Sequence, residues 1–366
     1  MRMSRCACFG AAERGDGPGE PASTPASQLG WVDDTVSFAS GFDPSGLRVL
    51  TWNVQLLPGV FPGQGGCVAA LESRTKQIVA NVLALTQSTR VDVIAFQEVW
   101  HEGSAKLLQN GLHKLFPNQH RPAAYCGLLT VTRPGLQIYH STFTPFQNTT
   151  GVEGWWFTKG VSGIAVRDDR VDDEEDDEDE GNKMKIILNA HLQSDYWNGG
   201  SDTRALQIPE IVDTLAVLNQ RTADTAVVKI LCGDLNVAFG SEEWKNISTQ
   251  LGGYAVDVRG LDVLDNGDDT DNPHTFPFGK YEPVHFEQCF GPCIGFGAYQ
   301  ARTTNARLDY VIDVSNVRGP TQEMTQETTR VENKNASTGV ILTGLGTDQS
   351  NGLPLSDHAP IFAVVG

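Results

Sequence analysis

Apolar residues along this chain fall into two rhythms. Leu47-Arg-Val-Leu, Val91-Asp-Val-Ile-Ala-Phe and Ala226-Val-Val-Lys-Ile-Leu are short, nearly continuous apolar runs. Runs of that length and character predict strands buried on both faces. Between them, Leu71, Ile78, Val82 and Leu85 recur at helical spacing and predict a helix over 68–85. A strand at 93–97 follows, then a helix over 104–115 that stops near Pro117. From 125 to 166 the pattern shortens to alternating segments broken by Gly and Pro, such as 127–132 and 163–166, which predict antiparallel strands. Ile164-Ala-Val and Met184-Lys-Ile-Ile-Leu would pair as a hairpin but for the insertion at 168–182. Helices over 203–218 and 242–251 flank the strand at 226–232, and the last strands fall at 308–313 and 360–365. Residues 257–305 carry many Gly, Pro and Asp and predict little regular structure.

Helices therefore alternate with buried strands, which is the pattern of an α/β domain. No clean linker interrupts it after residue 45, so 46–366 reads as one domain behind a Gly/Pro/Ser/Ala-rich tail, 1–45, expected to be disordered. With 366 residues, 40% of them hydrophobic, the chain can bury a large core. No apolar run reaches the roughly 18 residues a transmembrane helix needs. The basic start lacks an apolar segment of about 7–15 residues, so no secretory signal is expected and a cytoplasmic location follows.

Charge narrows the partners. The net charge is −18, and the nine acidic residues Asp172–Glu180 account for half of it. A like-charge block of this kind repels itself and reads as a solvated loop. The remainder is still acidic and shows no basic stripe, which disfavours a nucleic-acid partner, since such binding neutralises phosphates with Lys and Arg. Seven scattered cysteines fit free thiols in a reducing compartment. Cys289 and Cys293, in C-F-G-P-C, are spaced for a bridge across a tight turn, but two free thiols is the reading favoured without a secretory route. Cys6 and Cys8 sit where S-acylation could tether the tail to a membrane, against a plain tail as the simpler reading.

The chemistry lies at the ends of the predicted strands, where α/β proteins hold ligands. T-W-N-V delivers Asn53, F-Q-E-V delivers Glu98, C-G-D-L-N delivers Asp234 and Asn236, and S-D-H-A-P delivers Asp357 and His358. N-A-H-L-Q adds His191 and R-L-D-Y-V-I adds Asp309. Carboxylates gathered at strand ends repel one another and call for a cation. Glu98 and Asn53 are hard oxygen donors of the type Mg²⁺ prefers, with Mn²⁺ able to substitute. His358 beside a carboxylate is a proton acceptor suited to neutral pH, and His191 a donor for a phosphoryl oxygen. H-E-x-x-H, paired C-x-x-C, P-loop and G-x-S-x-G patterns are all absent from the sequence, which removes zinc-protease, NTPase and serine-hydrolase readings.

The six peptides, in this order, resemble the endonuclease/exonuclease/phosphatase superfamily, and within it the neutral sphingomyelinases. The resemblance covers about residues 46–366. It implies a four-layer α/β sandwich, two mixed β-sheets packed face to face with helices outside. It also implies Mg²⁺-dependent hydrolysis of sphingomyelin to ceramide and phosphocholine. Glu98 would be the metal ligand, helped by Asn53 and Asp357. Asp234 and Asn236 would contact the phosphate and the attacking water, Asp309 and Asp357 would be acidic partners, and His358 the general base, with Asp234 its competitor for that role. F-T-K-G resembles a sphingomyelinase lysine-glycine motif and implies Lys159 as a substrate contact beside His191 and Asn236. A monomer acting on phospholipid at a membrane surface is expected. The best candidate for a membrane-contacting segment is 286–299, where Phe290, Ile294, Phe296 and Tyr299 sit among glycines; a buried loop fits it as well. The rival readings are a nuclease, an inositol-polyphosphate phosphatase, or a binding protein on the same scaffold.

Overall fold

The computed structural model describes residues 46–57, 65–123, 125–151, 154, 157–169, 184–194, 199–223, 226–251, 254–255, 257–260, 309–315, 338–341, 358 and 360–365. The tail, Cys6 and Cys8, the acidic run, Asp357, Cys289, Cys293 and the segment 286–299 lie outside them.

Among the described residues, thirteen strands form two mixed sheets. In the first, β1 (Leu47–Asn53) pairs in parallel with β2 (Val93–Gln97) and antiparallel with β13 (Ile361–Val365). β4 (Leu129–Thr132) and β3 (Asn118–His120) extend it beyond β2, while β12 (Thr338–Ile341) and β10 (Asp257–Gly260) extend it beyond β13. The second sheet runs in the order β5 (Leu136–Pro145), β6 (Gly160–Asp168), β7 (Met184–His191), β8 (Ala226–Asp234), β11 (Asp309–Asp313), β9 (Tyr254–Ala255). Helices α1 (Gly65–Ser88) and α2 (Glu102–Leu112) cover the first sheet, and α3 (Gly200–Arg221) and α4 (Glu242–Leu251) the second. This is the expected four-layer α/β sandwich. Among the described residues no helix is long and apolar enough to cross a membrane.

The period-2 geometry of a strand sorts each one's residues between two cores. On β1, Leu50 and Trp52 face the helices while Leu47 and Val49 fill the space between the sheets. On β2, Ile94 and Phe96 go outward, Val93 and Ala95 inward. On β7 and β8 the inward residues include Ile187, Ile230 and Cys232. Followed along the strands, each inward file changes character toward one end of the sandwich. Leu47 and Val49 give way to Thr51 and Asn53, Val93 and Ala95 to Gln97, Ile187 to Asn189 and His191, and Ile230 and Cys232 to Asp234. Antiparallel β11 enters at that same end with Asp309 and runs inward to Val311. The parity that builds the dry core thus carries the polar residues into a common layer.

Two polar ties link the sheets on either side of the dry core. Beneath the polar end, Gln97 Nε2 donates to Asn189 Oδ1 at 2.8 Å and to Thr51 Oγ1 at 3.1 Å. Asn189 Nδ2 donates to the Phe96 carbonyl at 3.1 Å and Thr130 Oγ1 at 3.2 Å. At the far end, buried Asp92 accepts from Arg90 (2.6 and 2.8 Å), Arg133 and the Arg48 amide (2.9 Å), and Arg133 reaches across to Asp168 at 3.0 Å. β6 and β7 pair antiparallel as expected, and the end of β6 and the start of β7 lie at this far pole.

Candidate active site

Strand register sets the site. On the second sheet His191, Asp234 and Asp309 are cross-strand partners in one row. Asn53 and Gln97 are partners on the facing sheet, so Glu98 follows directly. Glu98 has left-handed backbone (φ 58°), and the chain beyond it stays tied to β1's continuation through Leu56 N–H to the Glu98 carbonyl at 2.9 Å. Gly233 precedes Asp234 for a steric reason: at φ 138°, a Cβ would run into the Ala190 carbonyl of the neighbouring strand. Asn236, also left-handed at φ 54°, donates its backbone N–H to Asp234 Oδ1 at 2.8 Å and its side-chain amide to the Leu192 carbonyl at 3.1 Å.

The two sheets meet across Asn53. Its Nδ2 donates to Asp234 Oδ2 at 3.0 Å and to Glu98 Oε1 at 3.2 Å, and its oxygen accepts the Gln55 N–H at 3.1 Å. His191 Nε2 lies 3.5 Å from Asp234 Oδ2 and 3.8 Å from Glu98 Oε1. Lys159, just before β6, places Nζ 3.2 Å from His191 Nε2 and 2.9 Å from the Leu192 carbonyl. His358 arrives from the segment before β13. Trp52 Nε1 donates to its carbonyl at 3.1 Å, Asp309 Oδ2 lies 2.7 Å from Nδ1, and Asp234 Oδ2 lies 3.6 Å from Nε2.

Eight of the nine residues singled out in the sequence therefore converge: Asn53, Glu98, Lys159, His191, Asp234, Asn236, Asp309 and His358. Asp357 lies outside the described residues. The sequence reading passed over Gln97, Asn189 and Trp52. Gln97 and Trp52 stand inside motifs whose chemistry is carried by their neighbours, and Asn189 lies two residues before His191 on the same strand face.

Burial and charge define what the cluster can do. Asp234 is 2% exposed and Glu98 18%, so the mouth lies on the Glu98 side. Burial, then the neighbouring Lys159 charge and His358, hold the His191 imidazole well below its usual pKa. An ammonium has only donors, so Lys159 makes His191 Nε2 an acceptor and puts the ring proton on Nδ1. A carboxylate on His358 Nδ1 favours the complementary tautomer there, with the proton on Nδ1 and Nε2 as the basic nitrogen. One ligand atom each from Asp234, Asp309 and His358 lie within 4.8 Å of one another. With Glu98 and Asp234 sharing one neutral amide, this oxygen-rich, anionic donor set fits a divalent cation.

A match to the endonuclease/exonuclease/phosphatase family spans residues 50–358, which takes in every placed site residue. The chain belongs to that family. Solved relatives of the fold include sphingomyelinase C from Streptomyces griseocarneus, with TM-score 0.58 and 18% identity over 88% of this chain and 99% of that one. A beta toxin mutant from Staphylococcus aureus with bound magnesium ions gives TM-score 0.57 and 17% identity, over 88% of this chain and 100% of that one. At these identities the likeness shows the fold alone. A Drosophila melanogaster protein named "Putative neutral sphingomyelinase" is 24% identical over 155 residues, 41% of this chain. The match spans about a third (32%) of that relative's length.

Proposed function

We propose that this family member is a metal-dependent phosphodiesterase that hydrolyses sphingomyelin to ceramide and phosphocholine. The observation that carries the hydrolytic reading is the His358–Asp309 pair at 2.7 Å, set beside Asp234, with a carboxylate–amide pair, Glu98 and Asn53, facing it from the other sheet. The names of the curated relative and of the solved neighbours support the choice of substrate.

A phosphodiester resists hydrolysis because its charge repels nucleophiles and its leaving alkoxide is poor, so positioning and charge compensation dominate its catalysis. Glu98 would hold Mg²⁺, with Asn53 fixing the carboxylate, and the ion would supply charge neutralisation at the phosphoryl oxygens. His358 Nε2 takes the proton of the attacking water, and Asp309 stabilises the imidazolium that forms. Asp234 and Asn236 orient that water and the phosphate. Lys159 supplies the cation for a phosphoryl oxygen. His191 Nε2, as an acceptor from Lys159, holds that ammonium in place instead of donating to the substrate itself. The lipid substrate puts the reaction at a membrane surface.

The test is release of phosphocholine from sphingomyelin vesicles with and without Mg²⁺, with DNA and inositol phosphates run in parallel. Turnover on sphingomyelin that vanishes in chelator, and in Glu98→Ala with the fold intact, is expected. Full activity in excess chelator, or turnover confined to DNA or inositol phosphates, would overturn the proposal.

A further inference from the structure

The first two turns of α3 bury Thr203, Arg204 and Gln207. A buried polar group costs free energy unless it finds a partner, and apolar residues at these positions would pack on the sheet without that cost. Arg204 and Gln207 both direct hydrogen bonds to one short segment, the residues that follow β7. Gln207 Oε1 accepts the Gln193 N–H at 3.0 Å, and Arg204 Nη1 donates to the Gln193 carbonyl at 2.8 Å. Arg204 is itself tied to Glu243 of α4 by bonds of 2.6 and 2.8 Å, so two helices brace the segment. Gln207 Nε2 donates to the Asn148 carbonyl at 2.7 Å, and Gln193 Oε1 accepts the Thr150 N–H at 3.1 Å. These bonds draw in the chain that leads from β5 toward Lys159. With an N–H at one end of its carboxamide and a carbonyl at the other, Gln207 sits only one way round.

The peptide between Leu192 and Gln193 faces two ways. Its N–H is the one that Gln207 holds. Its carbonyl is the Leu192 oxygen, which accepts from Lys159 Nζ at 2.9 Å and from the Asn236 amide at 3.1 Å. The N–H and C=O of one planar peptide point in opposite directions and rotate together. Fixing the N–H therefore fixes the oxygen on which Lys159 and Asn236 meet. β7 ends at His191, and the Leu192 N–H makes one more strand-like bond, to the Asp234 carbonyl at 3.0 Å. The next N–H along is the one that Gln207 takes, so a helix side chain carries on where the ladder stops.

Resting on the hydrolytic reading, in which Lys159 and Asn236 meet the phosphate, we propose that Gln207 is a positioning residue for the reaction. It acts through the Leu192–Gln193 peptide, whose orientation sets where the Lys159 ammonium and the Asn236 amide lie relative to the phosphate. Arg204, held by Glu243, steadies the same segment through its next carbonyl.

The experiment measures phosphocholine release from sphingomyelin in detergent micelles at saturating Mg²⁺. It compares the parent with Gln207→Met, Gln207→Glu, Lys159→Met and the Gln207→Met, Lys159→Met double variant, each assayed well below its own unfolding temperature. Gln207→Met keeps the volume and removes both hydrogen bonds. It should lower kcat/KM by about 10- to 100-fold, mostly through kcat. In the Lys159→Met background the same change should cost only about 3-fold, because the group it positions is already gone. Gln207→Glu keeps an oxygen for the Gln193 N–H and, protonated in so buried a place, a donor for the Asn148 carbonyl. It should stay within about 3-fold of the parent, and it carries the test should Gln207→Met not fold. Thr214→Val removes a buried hydroxyl of the same helix, bonded to Thr144 Oγ1 at 2.7 Å, and should lower stability while leaving kcat unchanged. Equal losses in the two backgrounds, or a Gln207→Met enzyme as fast as the parent, would overturn this inference alone. So would a loss of about 10-fold or more in Gln207→Glu, or Thr214→Val slowing turnover as far as Gln207→Met does. A parent enzyme inert on sphingomyelin would overturn the hydrolytic reading together with this one.

Discussion

His358 is held by two contacts of different kinds. Trp52 Nε1 grips its carbonyl at 3.1 Å and so places the residue, while Asp309 at 2.7 Å sets which ring nitrogen carries the proton. Removing the imidazole should leave the placement and abolish the chemistry. His358→Ala is expected to lower kcat by about 10²–10⁴-fold, measured at saturating metal and substrate with circular dichroism confirming the fold. A loss of only a few-fold would move proton transfer to Asp234, whose Oδ2 lies 3.6 Å from Nε2. The roles of Gln97 and Asn189 are structural but bear on the same atoms, because Glu98 is the next residue along from Gln97 and His191 is two from Asn189. Gln97→Met keeps volume and removes the donor to Asn189 and Thr51. It should destabilise the protein by roughly 1–3 kcal/mol for each polar group left unsatisfied. It should also raise the Mg²⁺ concentration needed for half-maximal activity, since the two halves of the site would lose their alignment. Denaturant unfolding and a metal titration of activity would check both. At this scale the sequence is informative where a motif carries an ionisable group or, as with Asn53 and Asn236, a polar residue at a strand end. Neutral side chains such as Gln97, Asn189 and Trp52 declare themselves only when strand parity and the facing sheet are known.

The strands that carry these residues were also legible, because continuous apolar runs can only sit between layers. β1 begins with the apolar run at Leu47, β2 falls where expected, and β8, β11 and β13 lie within two residues of their expected bounds. β5 was harder. Its ten residues L-Q-I-Y-H-S-T-F-T-P bury only partly along an edge, and the register shifts between Ile138 and His140, so the period-2 signal breaks midway. β3, β9, β10 and β12 have no counterpart in the sequence pattern. Two to four residues each, they are too short to show a rhythm. The hairpin of β6 and β7 pairs as the pattern predicts, and the length of β7 separates Met184 from the chemistry at His191. Its eight residues span roughly 23 Å from Met184 to His191, at about 3.3 Å per residue. Replacing Asp172–Glu180 by a short Gly/Ser linker should therefore leave turnover on micellar substrate near the parental value, because shortening a loop changes closure entropy only slightly. Binding to anionic vesicles should improve as nine negative charges are removed. Loss of both turnover and metal affinity on micelles would place the run in the active site.

At the scale of the whole molecule, what the sequence could not reveal was adjacency. Helix and strand order predict layers, but nothing local says that β1 lies between β2 and β13 or that β11 lies beside β8. Those pairings join segments far apart along the chain, and they are settled by which apolar faces remain to be covered once nearer partners have docked. The motif order supplied that missing information indirectly, since the six peptides make chemical sense only if their strands open at one end of a shared sandwich. Trp52 and His358 touch across 306 residues of sequence. Everything from Glu98 to Asp309 is threaded between them. A chain stalled in synthesis between residues 309 and 358 would hold the carboxylates of the site without the imidazole opposite them. Such fragments would lack the proton acceptor of the proposed hydrolysis however well they folded, so that activity would arise only once the fold has closed on itself.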